Sequence, residues 1–337
     1  GVLREGDIMA RRGGGEVGAA LWALNTSTDS QPVLDRLLSA AADPVELDDV
    51  VLRVSASIGY TLYPRDAADA DQLLRHADQA MYAAKQLGKN CSCLFDVAQD
   101  AAMQSQRETV EHIRRAFDKG EFVLYYQPRV NMKTGRVVGA EALIRWQHPQ
   151  RGLLLPGEFL PVVENRPLGS MIGDWVIHAA LAQMDRWQAQ GVDIPVSVNV
   201  GSRQMQHPDF VSGLRAALSR HPGVPASRLE LEVLETSLLD DLVHAREIMN
   251  ACRELGVRFA LDDFGTGYSS LTYLRRLPAD VLKVDQSFVR DMLDDPEDLA
   301  IVQGVLSLAK AFRREVVAEG VETAAHGEFL ILSGCEH

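Results

Sequence analysis

The chain has 337 residues, of which 46% are hydrophobic and 24% charged, a composition typical of folded protein with enough apolar residues for two domain cores. The formal net charge of −13 argues against a groove for DNA or RNA, because direct pairing with phosphates calls for a basic surface. No apolar run approaches the roughly 20 residues of a membrane-spanning helix, and residues 1–12 lack the pattern of a secretory signal.

The cysteines agree with a reducing compartment. Cys91, Cys93, Cys252 and Cys335 form no CxxC pair, so the sequence suggests neither a zinc site nor a disulfide framework. We therefore expect a cytoplasmic location with no membrane segment in this stretch, although segments upstream of residue 1 could tether a longer protein to a membrane. An acidic protein can still bind an anionic substrate when divalent metals stand between carboxylates and phosphates.

The first 96 residues predict a partial domain of mixed α and β structure. Residues 50–63 are rich in β-branched and aromatic residues and predict one strand, whereas residues 67–88 carry apolar side chains at helical spacing. Residues 97–106 have no apolar stripe and predict a linker, which can be helical. A second domain is predicted over residues 107–337.

The second domain alternates short apolar runs with longer amphipathic segments. Its predicted strands are 122–127, 137–146, 196–200, 229–233, 258–262, 281–284 and 315–318, and its predicted helices include 174–190, 209–219, 242–255 and 299–313. Strands separated by single helices predict a parallel sheet with right-handed crossovers. This length and number of units favour an α/β fold of the TIM-type (β/α) barrel over an open doubly wound sheet.

Polar residues interrupt these strands or follow them directly, where burial is costly unless something satisfies them: Glu141, Asn199, Glu232, Asp262 with Asp263, Lys283 and Glu319. Catalytic groups of a barrel lie at the C-terminal ends of its strands. Oxygen donors without histidine or cysteine favour Mg²⁺ or Mn²⁺ over zinc, so the pattern predicts a two-metal site for phosphoryl chemistry. Taken singly, each acid is better explained as an ordinary exposed loop residue; taken together, they are not.

Several motifs in order resemble the EAL phosphodiesterases over nearly all of residues 107–337. They are Glu141-Ala142-Leu143 with Ile144-Arg145-Trp146, Tyr126-Gln127-Pro128, Ser197-Val198-Asn199, Glu232-Val233-Leu234-Glu235, the run 262–271, Lys283-Val284-Asp285 and Ala318-Glu319-Gly320-Val321-Glu322. This resemblance implies metal-dependent hydrolysis of cyclic di-GMP to linear pGpG and, as in many family members, a homodimer formed through this domain.

The resemblance also implies roles for the matching residues. The site would hold two divalent cations, Mg²⁺ or Mn²⁺. The ligands of the first would be Glu141, Asn199, Glu232 and Asp262, and Asp262, Asp263 and Glu319 would lie at or near the second. Catalysis would rest on Lys283, which holds the attacking water, together with Glu319, Glu141 and Asp262. Substrate contacts would come from Gln127 and Arg145, and bracing of the loop that carries Asp263 from Glu235 and Glu322.

Two departures bear on these expectations. Leu234 stands where the family usually has threonine, and the sequence ends at His337, before the segment that normally supplies the last strand and a substrate contact. We therefore expect an exposed sheet edge and weakened turnover in this chain. The rival hypothesis is a non-catalytic receptor that binds cyclic di-GMP and signals through a protein partner; it is disfavoured because every metal-ligand carboxylate is present.

Residues 1–96 resemble the second half of a GGDEF domain. The matching segments include Arg11-Arg12-Gly13-Gly14-Gly15-Glu16-Val17, residues 55–59 and residues 77–85. Gly15 replaces the acidic third residue of the signature, and Glu16 remains its single carboxylate, so we expect no synthesis of cyclic di-GMP and at most a regulatory role. Arg4 and Asp7 match the family's RxxD inhibitory site for cyclic di-GMP; a solvated charged turn explains them equally well.

Overall fold

The computed structural model describes all residues except 1–3, 5, 14, 23–26, 48–49, 53, 239–240 and 267–270. The chain forms two compact units, residues 1–108 and 109–337. Each unit has its own sheets, and a long helix, α3 (Val97–Asp118), crosses the division between them. Residues 97–106, predicted as a linker, therefore form the first part of this helix.

The described residues of the first unit form three two-stranded sheets. Strand β1 (Ile8–Gly13) pairs antiparallel with β2 (Glu16–Ala20), β3 (Val45–Leu47) pairs antiparallel with β4 (Val50–Leu52), and β5 (Ile58–Tyr60) pairs parallel with β6 (Ser92–Leu94). Its helices are α1 (Ser27–Ala42) and α2 (Ala70–Gln86), the second of which begins at the N-cap Asp69.

The prediction of a single strand over residues 50–63 is wrong. Residues 54–57 have no strand pairing, and they separate β4 from β5. Gly59 lets β5 pack directly on the backbone of α2, because a Cβ there would lie 2.0 Å from the backbone nitrogen of Met81. Strand β5 pairs with β6 and does not continue β4.

One eight-stranded sheet dominates the second unit. Its strands are β7 (Phe122–Asn131), β8 (Arg136–His148), β9 (Gly152–Leu154), β10 (Val196–Asn199), β11 (Leu229–Leu234), β12 (Arg258–Phe264), β13 (Val281–Val284) and β14 (Glu315–Ala318). Strands β8, β10, β11, β12, β13 and β14 follow one another in parallel. The sheet curls, with helices between its strands, and the predicted TIM-like α/β fold is confirmed.

The first strand pair departs from the predicted parallel order. Strand β7 pairs antiparallel with β8, and β9 also pairs antiparallel with β8. Residues 132–135 alone join β7 to β8, and Gly135 has a φ of 66° in their turn. A connection this short can form only a hairpin, since a parallel pair needs a crossover of a dozen or more residues.

Helices follow the strands along the rest of the unit. They are α4 (Leu160–Val163), α5 (Pro167–Ala189), α6 (Ser202–Met205), α7 (Phe210–Ser219), α8 (Leu242–Glu254), α9 (Leu271–Arg276), α10 (Gln286–Asp291), α11 (Pro296–Phe312) and α12 (Ala324–Leu332). Single turns of 3₁₀ helix occur at Pro156–Glu158, Ala226–Arg228 and Glu235–Leu238. Among the helices that the structure describes, none is both long and apolar enough to cross a membrane.

Alternation along the strands separates two cores. On β11, Leu229, Leu231 and Val233 are buried in the large core shared with the helices. Residues of the opposite parity on the neighbouring strands, Ala260, Val281 and Val317, form a separate small cluster. This cluster lies on the inner face of the curled sheet, so the next inward-facing residues of β12, β13 and β14 are those nearest its C-terminal mouth.

The last residues of the chain lie beside the open end of the sheet. The N–H of Ala318, on β14, donates to the carbonyl of His337 at 2.9 Å, and the N–H of Met132, just after β7, donates to the carbonyl of Glu336 at 2.7 Å. The edge expected to be exposed is therefore partly covered by residues 336–337.

Candidate active site

Strand register brings the polar residues to one level of the sheet. Glu141 pairs with Ser197, so Asn199 lies two residues farther along β10. The same offset of two separates Asp262 from Ala260, which pairs with Glu232. It recurs on β14, where Lys283 pairs with Val317 and Glu319 follows two residues later. Such offsets arise because the strands of a barrel tilt, and they place residues of different register at the same height.

Lys283 lies at the centre of the resulting cluster. Its Nζ is 2.7 Å from Glu319 Oε1 and 2.8 Å from Glu232 Oε2. Asp262 Oδ1 at 3.1 Å and Glu141 Oε2 at 3.4 Å complete the set. The side chains of Lys283 and Glu232 are only 4% and 1% exposed, so water screens this pair little. Four carboxylates from four other strands thus surround one ammonium group.

Asn199 joins the cluster through Glu141. The amide Nδ2 of Asn199 donates to Glu141 Oε1 at 2.8 Å, which leaves the Glu141 Oε2 facing Lys283. This hydrogen bond also fixes the orientation of the Asn199 amide oxygen, because the nitrogen and oxygen of an amide lie in one rigid plane. One carboxylate and one amide from neighbouring strands are therefore held in a defined orientation.

The carboxyl groups carry more negative charge than one lysine neutralises. Burial raises the pKa of Glu232, and the nearby Glu141 and Asp262 raise it further, against the opposing effect of Lys283. Burial also raises the pKa of Glu319. Burial alone would lower the pKa of Lys283, but the surrounding carboxylates, led by Glu232, outweigh it and raise the pKa. Lys283 is therefore protonated at any physiological pH, and the site favours additional positive charge.

Asp262 and Asp263 project from an irregular end of β12. The register shifts between Leu261 and Phe264, and Asp263 has a left-handed φ of 52°. This bulge allows adjacent carboxylates to approach the same place instead of pointing to opposite faces of the sheet. One ligand atom from each of Asp262, Asp263 and Glu319 lies within 4.8 Å of the others.

These residues fit divalent cations. The donor set consists of oxygens, as Mg²⁺ and Mn²⁺ prefer. The Oε1 of Glu232 is buried with no hydrogen-bond partner, and an unpaired buried carboxylate oxygen is costly unless a cation or a proton satisfies it. Burial, followed by the charge of Asp262, raises the pKa of Asp263 to about 6, as expected for acids gathered without enough cations.

The predicted substrate contacts lie on the first two strands. Gln127 pairs with Glu141 across the hairpin and is exposed. The Nη1 of Arg145 donates to the carbonyl of Ile144 at 2.9 Å, and its guanidinium lies 6.0 Å from the centre of the Tyr125 ring. A cavity of about 410 Å³ adjoins the cluster, with Asn199, Glu232 and Leu234 in its wall, and the rest of the wall includes the apolar Ile144, Leu160 and Val176.

The two predicted loop-bracing residues have different positions. Glu235 is buried, and its Oε2 accepts a hydrogen bond at 3.2 Å from the N–H of Gly265, just after β12. Glu322 is exposed, and its charge acts on Arg290. Glu235 therefore contacts the loop that follows Asp263. The role predicted for Glu322 stays a prediction, because residues 267–270 of this loop lie outside the described part.

Two acids near the site, Asp285 and Glu230, had no role assigned from the sequence. Asp285 caps α10 by accepting from the N–H of Ser287 at 2.9 Å, and it shares a hydrogen bond with the carboxyl of Asp263. Glu230, two residues before Glu232 on the same inward face, is fully buried and pairs with Arg129 at 3.0 Å. The signal for Asp285 was an aspartate just before a helix; Glu230 was detectable only as a second acid of the same parity on β11.

Comparison with known proteins identifies the family. The profile of the EAL domain matches residues 110–337, and that of the diguanylate cyclase GGDEF domain matches residues 1–91. The chain belongs to the EAL domain family. Both resemblances stated from the sequence are thereby confirmed, and residues 109–337 are called the EAL unit below and residues 1–108 the GGDEF unit.

Two curated relatives match the chain over nearly its whole length. The chain is 40% identical over 334 residues to the bifunctional diguanylate cyclase/cyclic di-GMP phosphodiesterase MucR of Pseudomonas aeruginosa, a match covering 99% of this chain and 48% of MucR. It is 33% identical over 333 residues to the cyclic di-GMP phosphodiesterase PdeR of Escherichia coli, covering 98% of this chain and 50% of PdeR. The chain thus spans about half the length of these relatives.

Solved structures of EAL proteins resemble the chain as well. The PaMucR phosphodiesterase in complex with c-di-GMP is 42% identical, with a TM-score of 0.65 over 68% of this chain and 93% of that one. The EAL enzyme Bd1971 with cAMP and cyclic di-GMP bound is 35% identical, with a TM-score of 0.68 over 80% of this chain and 71% of that one.

The GGDEF unit places its predicted site residues in local turns. The carboxylate of Asp7 accepts hydrogen bonds from the backbone N–H groups of Arg4 at 2.8 Å and of Trp22 at 3.2 Å, and Arg4 is exposed. Gly13 pairs with Glu16 at the end of the β1–β2 pair, so these two residues of the signature lie side by side at one end of the two-stranded sheet. The oxygens of Asp7 are thus already engaged by the backbone.

Proposed function

We propose that the EAL unit hydrolyses one phosphodiester bond of cyclic di-GMP and releases linear pGpG, with divalent cations as cofactors. The observation that carries the proposal is the convergence of Glu141, Glu232, Asp262 and Glu319 on Lys283 at the mouth of the sheet. Family membership supports it, since relatives that match nearly the whole chain are named cyclic di-GMP phosphodiesterases.

The acidic cluster would hold two cations, Mg²⁺ or Mn²⁺. One would lie among Glu141, Asn199, Glu232 and Asp262, and the other among Asp262, Asp263 and Glu319. When bound, such cations neutralise phosphate charge and lower the pKa of water. The unpartnered Oε1 of Glu232 and the gathered oxygens of Asp262, Asp263 and Glu319 support this assignment.

Lys283 and Glu319 would handle the attacking water. Because its pKa is raised, Lys283 remains an ammonium group and acts as a hydrogen-bond donor, not as a base. Its Nζ would orient the water oxygen and offset charge on the phosphoryl oxygens. Glu319, 2.7 Å away and with a pKa raised by burial, is a suitable acceptor for the proton that the water loses.

Substrate binding would use the cavity beside the cluster. Its apolar wall, which includes Ile144, Leu160 and Val176, suits the face of a nucleobase, while Asn199 and Glu232 lie at its polar end. Arg145 and Gln127 would contact the phosphates or sugars from the neighbouring strands. Leu234 lines the same cavity and adds apolar surface where the family usually has a hydroxyl group.

The remaining predictions concern the whole protein. We propose that the GGDEF unit does not synthesise cyclic di-GMP, because Gly15 leaves Glu16 as the single carboxylate of its signature, and that it has a regulatory role. A homodimer formed through the EAL unit and a cytoplasmic location belong to the same proposal. A receptor that binds the nucleotide without cleaving it is the alternative, and the complete carboxylate set disfavours it.

Turnover by the purified chain tests the proposal. We expect pGpG to appear on chromatography after incubation with cyclic di-GMP and Mn²⁺ or Mg²⁺, and Asp262→Asn to lower the rate by orders of magnitude. Asp280→Asn is the matched control, because Asp280 lies just before β13 at the opposite end of the sheet, where it accepts from the N–H of Phe259. Binding of cyclic di-GMP without turnover, in this chain and in one extended beyond His337, would favour the receptor.

A further inference from the structure

Lys283 occupies the place where the predicted cation ligands converge. Its ammonium group lies within 3.4 Å of one oxygen from each of Glu141, Glu232, Asp262 and Glu319. We propose that Lys283 is an internal counter-ion that competes with the divalent cations for these oxygens and holds the carboxylates together when the cations leave. This inference rests on the metal site of the proposed function and adds a second role for the same lysine.

Geometry argues for competition. An ammonium group has three N–H bonds, and the two shortest contacts, 2.7 Å to Glu319 and 2.8 Å to Glu232, have the length of charge-assisted hydrogen bonds. A cation held by Glu232 Oε2 or Glu319 Oε1 would use lone pairs that now face Lys283. Binding cations must therefore loosen at least part of this arrangement.

Burial argues for the counter-ion role. The Glu232 side chain is 1% exposed, and Glu141, Asp262 and Glu319 are only 12–28% exposed, so solvent cannot compensate for the mutual repulsion of the acids. Among the ion pairs of the described residues, Lys283 is the one basic group that contacts these four carboxylates. Without Lys283, cations would be the remaining source of positive charge at the cluster's centre.

A second buried ion pair supplies a matched comparison. Arg129 pairs with Glu230 at 3.0 Å, on the same inward face of β11 and two residues before Glu232. The side chain of Arg129 is mostly buried, as that of Lys283 is. Its partner Glu230, however, is not a predicted cation ligand. Replacing either basic side chain leaves a buried acid without its partner. Only the replacement of Lys283 frees carboxylate oxygens that divalent cations can bind.

The experiment compares Lys283→Met with Arg129→Met in the full chain, with Mn²⁺ as the probe. Free Mn²⁺ is followed by electron paramagnetic resonance, and melting temperatures are measured in EDTA and in saturating Mn²⁺. We expect Lys283→Met to bind Mn²⁺ at least about tenfold more tightly than the wild type does. Its melting temperature should fall in EDTA and return most of the way in saturating Mn²⁺. Arg129→Met should lose the same amount in both conditions and bind Mn²⁺ as wild type does.

Two outcomes would overturn the inference. Lys283→Met could bind Mn²⁺ no more tightly than wild type, or its loss of melting temperature could be equal in EDTA and Mn²⁺. Should neither protein bind Mn²⁺, the metal site itself would be refuted, which separates the two failures. If Lys283→Met does not fold in EDTA, the double variant Glu232→Gln/Lys283→Met decides: recovery of folding supports the counter-ion role, and persistent unfolding contradicts it.

Discussion

Replacing Glu232 by glutamine should lower activity and raise the stability of the metal-free protein. The substitution preserves the shape of the side chain and removes its negative charge. In the wild type, Glu232 Oε2 lies 2.8 Å from Lys283 Nζ. Lys283 retains three other carboxylates, at 2.7, 3.1 and 3.4 Å, so its ammonium group is not left unpaired. The variant therefore loses part of one charge-assisted hydrogen bond, and it also loses a negative charge among three others.

The magnitude follows from these opposing terms. A charged hydrogen bond contributes about 1.5–3 kcal/mol and a neutral one about 0.5–1.5 kcal/mol, so the weakened contact costs about 1 kcal/mol. Burial raises the pKa of Glu232 above its ordinary value of 4.5, and each unit by which it is raised is worth about 1.4 kcal/mol at a pH above it. Because this pKa is raised to about 8, the cost at pH 8 is about 4 kcal/mol, so a net gain of about 3 kcal/mol is expected, or roughly 6–12 °C in melting temperature.

The dependence on pH has a definite sign. A carboxyl whose pKa is raised in the folded state binds its proton more tightly there, so its contribution to stability is present at low pH and is lost as pH rises through the raised pKa. The advantage of Glu232→Gln over wild type should therefore be absent near pH 4, small at pH 5 and largest at pH 8. Thermal denaturation in EDTA at pH 5 and pH 8 measures it.

Glu230→Gln is the control for burial without crowding. Glu230 is fully buried two residues earlier on the same strand, and its partner is Arg129 at 3.0 Å. Neutralising it leaves a buried guanidinium without its ion pair and should destabilise the protein by about 3–5 kcal/mol. The reasoning fails if Glu232→Gln lowers the melting temperature at pH 8 as Glu230→Gln does, or if its effect is the same at both pH values.

Three further predictions concern the surroundings of the site. Gly139→Ala would place a Cβ 2.9 Å from Arg129 Nη2, displace its ion pair and lower the free energy of unfolding by about 2–4 kcal/mol in urea titrations. Glu235→Gln weakens the contact with the N–H of Gly265 and should reduce turnover several-fold, with a nearly unchanged melting temperature in thermal scans. Mn²⁺ affinity should rise by roughly tenfold per pH unit below pH 6 and less steeply above it, because the Asp263 carboxyl, with a pKa of about 6, must ionise to bind; constant affinity in resonance titrations would refute this.

The two acids of β11 illustrate how environment assigns different roles to the same residue type. Glu230 forms an ion pair with Arg129, whereas Glu232 shares Lys283 with three other acids. An acid paired with its own basic residue stabilises the interior, whereas an acid crowded among other acids favours an added cation. The difference lies in the neighbours, since both side chains are buried on the same face of the strand.

Much of the EAL unit follows from local pattern. The predicted strands 281–284 and 315–318 match β13 and β14, and the other predicted strands of this unit overlap observed ones. Apolar runs and helical spacing are local properties, so the sequence alone carries them. Polar residues within buried strands, such as Glu141, Asn199 and Lys283, were recognisable as candidates for the same reason.

Tertiary structure decided which of these residues meet and how. The offsets of two that bring Asp262 and Glu319 level with Lys283 depend on pairing between segments far apart in the chain. Hydrophobic pattern specifies that a strand is buried, but its register and tilt arise only when the whole sheet curls and packs. For that reason the sequence by itself identified the acids and the lysine, and only the folded sheet made the lysine the centre of the cluster.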